Sequence, residues 1–409
     1  MINYLVSNMS YSLPHKFIIW IDDEKQLEAI VNRWKRHTWL CLDTEFIRCS
    51  TFYPKPALIQ VFDGKNITLI DPLKITDWAP LAEILTEPGI IKIMHAPQED
   101  IEALNILTAR TVSPLIDIQL AAAFCNLPYP CGYKMLAKQL LNVDVSKEST
   151  RSDWLQRPLT DEQIMYAASD VYYLPQLYKV LYEKIKQDNA EKLQWLTEES
   201  GVIAQSVMQK NDPANFLQGL TPDPNLSAEQ NKIMRMLHMW REFYIRKHDI
   251  PRKRVLSIEL FTEIARHSPT DIRQMQDIPG FSASLIRKYG KHIIKTVQKA
   301  QQLSGHDDSE KQDTYLKLPV EIKPISEEIQ QECKQLCQQC NINSILLPGK
   351  KYAFHIMQQW MKSGEFLLPD TVMQSWKKVL LQPLLDRLTH KYRHLKNSVL
   401  QSDIKQYEE

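Results

Sequence analysis

Two carboxylates lie two residues apart in an otherwise apolar run, Trp39–Phe46 (WLCLDTEF). In a strand, alternate side chains share a face, so Asp43 and Glu45 point in the same direction. Two acids on one face of a buried strand repel each other and lose hydration unless a cation neutralises them. The pair therefore indicates a cation site; the alternative is a strand end that exposes both acids to water.

Two further acids belong to other segments of the chain. Asp100 begins a predicted helix after the predicted strand Ile90–His95, and Asp170 lies one helical turn after Tyr166 in YAASD. Hard divalent cations prefer oxygen ligands, and two ions ~4 Å apart can bring about in-line phosphodiester displacement. One ion lowers the pKa of the attacking water, and the other stabilises the leaving 3′ oxygen. We therefore predict four carboxylate ligands and a tyrosine that orients the water and helps to deprotonate it.

The elements that position these side chains follow from the hydrophobic pattern. The β-rich runs are Trp39–Phe46, Ala57–Phe62, Ile67–Ile70, Ile90–His95 and Leu115–Ile118. The close spacing of the first three predicts a meander, and the helical stretch before the fourth predicts a crossover. Thr160 and Gln163 form a capping-box signature at the start of the helix that carries Asp170. The sequence thus predicts an α/β domain with a mixed sheet flanked by helices.

Two all-α domains are predicted after this α/β domain. Asn211–Asn225 contains three prolines and no clear period, which indicates a linker before the helical pattern of Ser227–Gln302. A polar stretch, Ser304–Asp313, is a second predicted linker, and Ile325–Leu388 is again helical.

Charge is unevenly distributed along the chain. Residues 225–302 contain 15 Lys and Arg against 7 Asp and Glu, a net charge of +8, whereas the whole chain has +1. An acidic body joined to a basic module favours a polyanionic partner that contacts the basic part. The alternative is a solvated helical surface with a chance excess of basic residues.

Composition excludes several function classes. The chain has ten glycines, and the nearest two, Gly280 and Gly290, are ten residues apart. The glycine-rich dinucleotide turn, the phosphate loop of nucleotide hydrolases and the G-x-S-x-G elbow are therefore impossible, and no nucleotide cofactor is expected. With no apolar run long enough for a bilayer and seven unevenly spaced cysteines, we expect a soluble, cytoplasmic protein, with no membrane partner.

Three motifs carry a resemblance to a known family. LDTEF, HAPQED and YAASD resemble the exonuclease motifs of the DEDD superfamily, in the subclass with tyrosine in the third motif. The intervening TFYPKPALIQV, LIDIQLAAA and RSDWLQRPLTDEQIMYAASDVYYL resemble ribonuclease D. This resemblance implies an RNase H-like fold and a 3′→5′ exoribonuclease that releases nucleoside 5′-monophosphates and trims tRNA precursors. It also implies Mg²⁺ or Mn²⁺, two ions per site, with Asp43, Glu45, Asp100 and Asp170 as ligands and Tyr166 beside the water.

The helical regions also resemble a known domain. MLHMWREFYIRKHDIPRKRVLSIELFTEIAR and DIPGFSASLIRKYG resemble the helicase-and-RNase-D C-terminal domain, and LLPDTVMQSWKKVLLQPLL resembles a degenerate second copy. The expected domains are therefore an exonuclease domain over residues 15–210, a first helical domain over 225–302 and its degenerate copy over 315–390.

Six further residues are candidates for substrate contacts. They are His95, Arg246, Lys247, Arg252, Lys253 and Arg254. A packed histidine and ordinary surface charge are the alternatives. The expected partner is RNA with a free 3′ end, in particular tRNA precursors, bound by a monomer. A DNA 3′–5′ exonuclease with the same chemistry and a non-catalytic RNA-binding protein remain the alternative functions.

Overall fold

The structure is a computed structural model that describes residues 17–145, 152–217, 220, 223, 225–302, 322–369, 372 and 375–393. The described residues form two compact units. The first contains those of Met1–Phe46, Pro56–Gln205 and Leu318–Glu409, and the second contains Ile47–Lys55 with those of Ser206–Lys317. Residues 15–16 and 315–321 of the predicted domains, and the predicted linker Ser304–Asp313, lie outside the described residues.

A six-stranded mixed sheet forms the centre of the first unit. Its strands are Ile18–Ile21 (β1), Trp39–Ile47 (β2), Lys55–Phe62 (β3), Ile67–Ile70 (β4), Ile91–Met94 (β5) and Leu115–Asp117 (β6). They lie in the order β1-β4-β3-β2-β5-β6. β3 and β4 are antiparallel, whereas β1 with β4, β2 with β5 and β5 with β6 are parallel. The strand that carries Asp43 and Glu45 is thus an interior strand.

The predicted meander and crossover are both confirmed. β2, β3 and β4 are neighbours in sequence order, and β5 returns parallel to β2 after an intervening helix. β1 was not predicted, because its four residues, Ile18–Ile21, carry little periodic signal and are placed by pairing with the distant Ile67–Ile70.

Eight helices accompany the sheet in the described part of the chain up to residue 217. They are Glu24–Trp34 (α1), Ala79–Thr86 (α2), Gln98–Thr108 (α3), Ile118–Phe124 (α4), Tyr133–Leu136 (α5), Asp161–Tyr172 (α6), Leu174–Asp188 (α7) and Lys192–Gln209 (α8). A π-helical turn, Ala137–Leu141, continues α5. Across the described residues of the whole chain, no helix has both the length and the apolar character that a membrane span requires.

The start of α6 is fixed by two polar arrangements. The predicted capping box is confirmed, since the Thr160 hydroxyl accepts from the Gln163 N–H and the Gln163 side chain accepts from the Thr160 N–H. Just before it, the Arg157 guanidinium donates two 2.6 Å hydrogen bonds to the buried Asp71 carboxylate and one of 2.7 Å to the Ala57 carbonyl. Because bidentate charge-assisted pairs are directional, the loop that leads into α6 has a defined geometry.

The last three helices pack within the first unit. They are Lys323–Gln339 (α13), Gly349–Ser363 (α14) and Trp376–Lys391 (α15). The Trp376 ring stacks on Trp195 of α8 with centroids 4.8 Å apart, and the Asn343 N–H donates to the Ala123 carbonyl at 2.9 Å. By these contacts, the C-terminal helices pack against α8 and α4 of the first unit.

Four α-helices lie wholly within the described residues of the second unit. They are Ala228–His248 (α9), Ile258–His267 (α10), Ile272–Gln276 (α11) and Ala283–Gln302 (α12), which confirms the helical prediction for this region. Segment Ile47–Lys55 belongs to the same unit. Its Phe52 and Tyr53 N–H groups both donate to the Asp249 carboxylate at 2.9 Å, and the Phe52 side chain lies in the helical core.

Candidate active site

Asp43 and Glu45 lie on β2 and are only partly exposed. Burial raises the pKa of Asp43 well above its usual range, and the carboxylates of Asp100, Asp170 and Glu45 raise it further. Burial likewise raises the pKa of Glu45 to about 9, with smaller contributions from Asp170 and Asp100. These mutual effects bring the four predicted acids into one electrostatically coupled group.

Asp100 lies in the first turn of α3 and is hydrogen-bonded to β2. Its Oδ1 atom accepts from the Thr44 hydroxyl at 2.6 Å and from the Thr44 N–H at 3.2 Å. Burial raises the pKa of Asp100 to about 6, while the hydrogen bonds from Thr44 oppose that rise. Thr44 stands between Asp43 and Glu45, so this contact links the two segments that carry three of the four acids.

Asp170 and Tyr166 lie one turn apart on α6. Burial raises the pKa of Asp170 to about 7, and the Lys134 ammonium and a side-chain hydrogen bond with Tyr166 oppose the rise. The centre of the Tyr166 ring lies 6.0 Å from that of Trp154. Trp154 belongs to the loop before α6 that contains Arg157. Tyr166 is therefore close to the coupled acids and supported by aromatic packing.

A cavity of about 330 Å³ lies beside these residues. It is lined by Asp43, His95, Gly132, Tyr133, Lys134, Tyr166, Asp170 and Leu174. Glu45 and Asp100 are not among its lining residues but act electrostatically on Asp43. Three of the five predicted catalytic side chains, Asp43, Tyr166 and Asp170, thus line one cavity, and Glu45 and Asp100 are not part of its lining.

The donor set fits hard divalent cations. Four carboxylates from three elements provide oxygen ligands, and the raised pKa values mean that negative charge at this position is costly without a counter-charge. Among the described residues, no three His, Cys, Asp or Glu side chains already surround a single ion position.

His95 lines the cavity but is held by the protein. Its Nε2 atom is 2.9 Å from the Cys131 carbonyl, and its ring lies edge-on to Tyr133 with centroids 5.9 Å apart. Burial lowers the pKa of His95, so the neutral imidazole is favoured. Donation from Nε2 to the carbonyl leaves only Nδ1 of this ring for a substrate.

The basic candidates divide into two groups. Arg246 and Arg252 both donate to the Glu242 carboxylate, at 2.5 Å and 2.8 Å. The Arg246 guanidinium also lies over the rings of Phe216 and Phe52, at 3.9 Å and 4.7 Å, and is only 11% exposed. The Arg246 side chain thus binds and packs against other residues of its own unit.

Lys247, Lys253 and Arg254 have exposed side chains. Lys253 and Arg254 line a cleft of about 430 Å³, together with Gly280 in the turn before α12. Gly280 has φ +78° and no atom within 4 Å of the position a Cβ would take, so the backbone there is open to a close approach. These three residues fit phosphate contacts better than Arg246 does.

The sequence patterns did not single out Thr44, Lys134 or Glu242. Thr44 could have been noticed as the central residue of D-T-E, and Glu242 as the i, i+4 partner of Arg246. Lys134 lies in a short helix remote in sequence from the three motifs, so no local signal connects it with them.

Two family models match this chain. One, described as 3′-5′ exonuclease, matches residues 18–186, and the other, described as HRDC domain, matches residues 230–297. The first match contains all four acids and Tyr166, and the second contains the basic candidates of α9 and the turn after it.

Curated relatives extend the similarity to nearly the whole chain. Ribonuclease D of Pseudomonas paraeruginosa is 33% identical over 372 residues, which cover 91% of this chain and 97% of that protein. Ribonuclease D of Escherichia coli is 31% identical over 358 residues, or 86% of this chain and 93% of that protein. The crystal structure of E. coli RNase D, described as an exoribonuclease involved in structured RNA processing, matches with a TM-score of 0.77 at 28% identity, covering 92% and 99% of the two chains.

Proposed function

Since this chain belongs to the ribonuclease D family and is a 3′–5′ exoribonuclease, we propose that it uses two divalent cations to release nucleoside 5′-monophosphates, and that its substrates are tRNA precursors with free 3′ ends. The single observation that supports the metal chemistry is the electrostatically coupled group of four buried or partly buried carboxylates beside the cavity. Burial raises the pKa of all four acids, and neighbouring carboxylates raise those of Asp43, Glu45 and Asp170 further, so their negative charge is costly to keep together unless cations bind there.

In this proposal Asp43, Glu45, Asp100 and Asp170 hold the cations, either Mg²⁺ or Mn²⁺. When bound, such a pair would lower the pKa of the attacking water and stabilise the negative charge on the leaving 3′ oxygen. The protein contributes the spacing of the ligands, because the hydrogen bonds from Thr44 fix Asp100 against β2. Burial of the acids then makes their attraction to cations stronger than it would be in water.

Tyr166 is proposed to orient the attacking water and to help remove its proton. The support is its place in the cavity wall beside Asp43 and Asp170, together with its side-chain hydrogen bond to Asp170. A phenol held in this way can accept or donate a hydrogen bond at a defined position, which is what general-base or orienting groups require.

RNA capture is proposed for the helical unit, with domain limits of 15–210 for the exonuclease domain, 225–302 for the helical domain and 315–390 for its degenerate copy. The net charge of +8 in residues 225–302 supports the proposal, as do the exposed Lys247, Lys253 and Arg254. Phosphate contacts of this kind supply affinity without sequence preference. Arg246 and Arg252 are proposed to shape this surface through Glu242, and His95 to contact substrate from the cavity wall.

The test uses full-length protein and 5′-labelled RNA and DNA oligonucleotides of the same sequence, with Mg²⁺, with Mn²⁺ and with EDTA. Stepwise shortening of the RNA and release of nucleoside 5′-monophosphates, identified by mass spectrometry and abolished by EDTA, are expected. Asp170→Asn should be inactive, and Glu28→Gln, an exposed carboxylate on α1, should behave as the parent.

Each part of the experiment has a result that would contradict the proposal. Equal cleavage of DNA would favour the DNA exonuclease alternative, full activity in EDTA would reject the metal proposal, and absence of cleavage would favour a non-catalytic RNA-binding protein. A tRNA precursor with a 3′ extension, compared with an unstructured RNA of equal length, tests the substrate class.

A further inference from the structure

We propose that Lys134 is a further substrate-binding residue, whose ammonium group binds the phosphate of the 3′-terminal nucleotide in the cavity. This inference rests on the proposed function, because it assigns a contact to the same site. It concerns a residue outside the three exonuclease motifs.

Among the described residues that line the cavity, Lys134 is the one Lys or Arg. Its Nζ atom lies 5.1 Å from the centre of the Tyr166 ring, and its charge acts on Asp170. The other lining residues that the structure describes are acidic or uncharged, apart from His95, whose neutral form is favoured. An anionic phosphate that enters the cavity therefore meets the Lys134 ammonium at the wall that carries Tyr166.

The backbone around Lys134 is held from two sides. On one side, the Tyr133 hydroxyl donates to the Ser169 carbonyl of α6 at 2.6 Å. On the other side, the Cys131 carbonyl lies 2.9 Å from His95 Nε2 and accepts from the Gln119 side chain at 3.3 Å. These contacts fix the start of α5 against the helix that carries Tyr166 and Asp170. The Lys134 side chain thus starts from a defined position, which lowers the entropic cost of binding.

A lysine suits this place because its ammonium is a compact charge with three donors on a flexible stem. In the protein alone, that charge offsets part of the repulsion around Asp170. If Lys134 had only this structural role, its removal would not change the affinity for phosphate-bearing ligands. A phosphate contact predicts in addition that affinity for phosphate-bearing ligands, and not for the nucleoside alone, depends on Lys134.

The chain offers a matched control four residues further on. Lys138 is exposed and pairs with Asp144 at 2.6 Å, with side chains 53% and 82% exposed, and it does not line the cavity. Lys134→Met and Lys138→Met remove the same charge from neighbouring turns while keeping side-chain length. The net charge of the chain is therefore equal in the two variants.

The experiment measures inhibition of RNA hydrolysis by adenosine 5′-monophosphate and by adenosine for the parent and both variants. In Lys134→Met, inhibition by the monophosphate should weaken by at least about tenfold, since charge-assisted contacts are among the stronger hydrogen bonds. Inhibition by adenosine should not change, and Lys138→Met should match the parent with both compounds. Lys134→Arg should recover part of the affinity for the monophosphate.

A second measurement does not depend on turnover. Binding of a short fluorescent single-stranded RNA in EDTA should show a log–log salt slope smaller by about 0.7 in Lys134→Met and unchanged in Lys138→Met. Equal weakening of both inhibitors, or an unchanged slope in a folded variant, would overturn the inference. If the parent itself failed to hydrolyse RNA, the proposed function would fail, and the EDTA binding measurement would still decide whether Lys134 contacts phosphate.

Discussion

Thr44 donates two hydrogen bonds to one oxygen atom of Asp100, from its hydroxyl at 2.6 Å and its N–H at 3.2 Å. Both residues are buried, and Thr44 separates Asp43 from Glu45 in β2. The contact therefore fixes α3 relative to the strand and sets the spacing between acids that belong to different elements. Removing the Thr44 hydroxyl tests how strongly stability and the dependence of activity on metal rely on that spacing.

Thr44→Val keeps the shape of the side chain but deletes the hydroxyl. We expect a loss of about 1–3 kcal/mol in the free energy of unfolding, because Asp100 loses a buried partner. We also expect a higher Mg²⁺ concentration for half-maximal activity. Thr44→Ser keeps the donor and is the control. Chemical denaturation and a metal titration of activity would measure both effects; equal values for Val and Ser variants would show that the hydroxyl is unimportant.

The acids should make metal-free protein less stable as pH rises. Glu45 and Asp170 have ordinary pKa values of 4.5 and 3.8, raised in the folded chain to about 9 and about 7. Between these limits the folded state binds more protons than the unfolded state, so the free energy of unfolding falls with increasing pH. Thermal unfolding in EDTA from pH 5 to pH 9 should show a decline that is smaller in Asp170→Asn.

Glu28→Gln, which changes an exposed carboxylate, should retain the parent's decline. Saturating Mg²⁺ should stabilise the parent more at high pH than at low pH, because cation binding competes with protonation. A parent curve that matches Asp170→Asn over the whole pH range would contradict the assignment of buried, coupled acids.

Tyr166→Phe removes only a hydroxyl and keeps the ring that lies 6.0 Å from the ring of Trp154. Turnover should fall by ~10²–10⁴-fold, the usual contribution of a general base or orienting group, with little change in RNA affinity. Single-turnover rates and RNA binding in EDTA would separate the two. Tyr178→Phe, on the following helix and outside the cavity lining, is a matched control that should keep full turnover. Turnover within twofold of the parent would assign Tyr166 a packing role only.

Lys253 and Arg254 should affect RNA binding differently from Arg252. Replacing both Lys253 and Arg254 with Gln should reduce the log–log salt slope of RNA binding by up to about 0.7 per contact. The free energy of unfolding should stay within about 0.5 kcal/mol of the parent's. Arg252→Gln instead breaks a pair with Glu242, whose side chain is 7% exposed, and should lower stability. Salt titrations and thermal unfolding measure the two effects. A folded double variant with an unchanged slope would leave these residues as ordinary surface charge.

The sequence by itself determined the acidic motif residues, the helical and strand segments that carry them, and the helical character of the basic region. These are local properties. Asp43 and Glu45 share a face because strands have a two-residue period. Helix α6 begins at Asp161 because Thr160 and Gln163, only three residues apart, form its capping box. Such signals need only a few neighbouring residues, so no tertiary information is required to detect them.

Only the tertiary structure shows which charged side chains bind other residues of the protein and which of them line the cavity. Arg246 stacks on Phe52, a residue almost two hundred positions earlier, and Lys134 lines the cavity because Tyr133 binds the Ser169 carbonyl. Likewise, Trp376 joins the core of the first unit by stacking on Trp195, although a linear division assigns it to a separate helical domain. Contacts between distant segments depend on packing and mutual burial of whole elements, and no local periodicity encodes them.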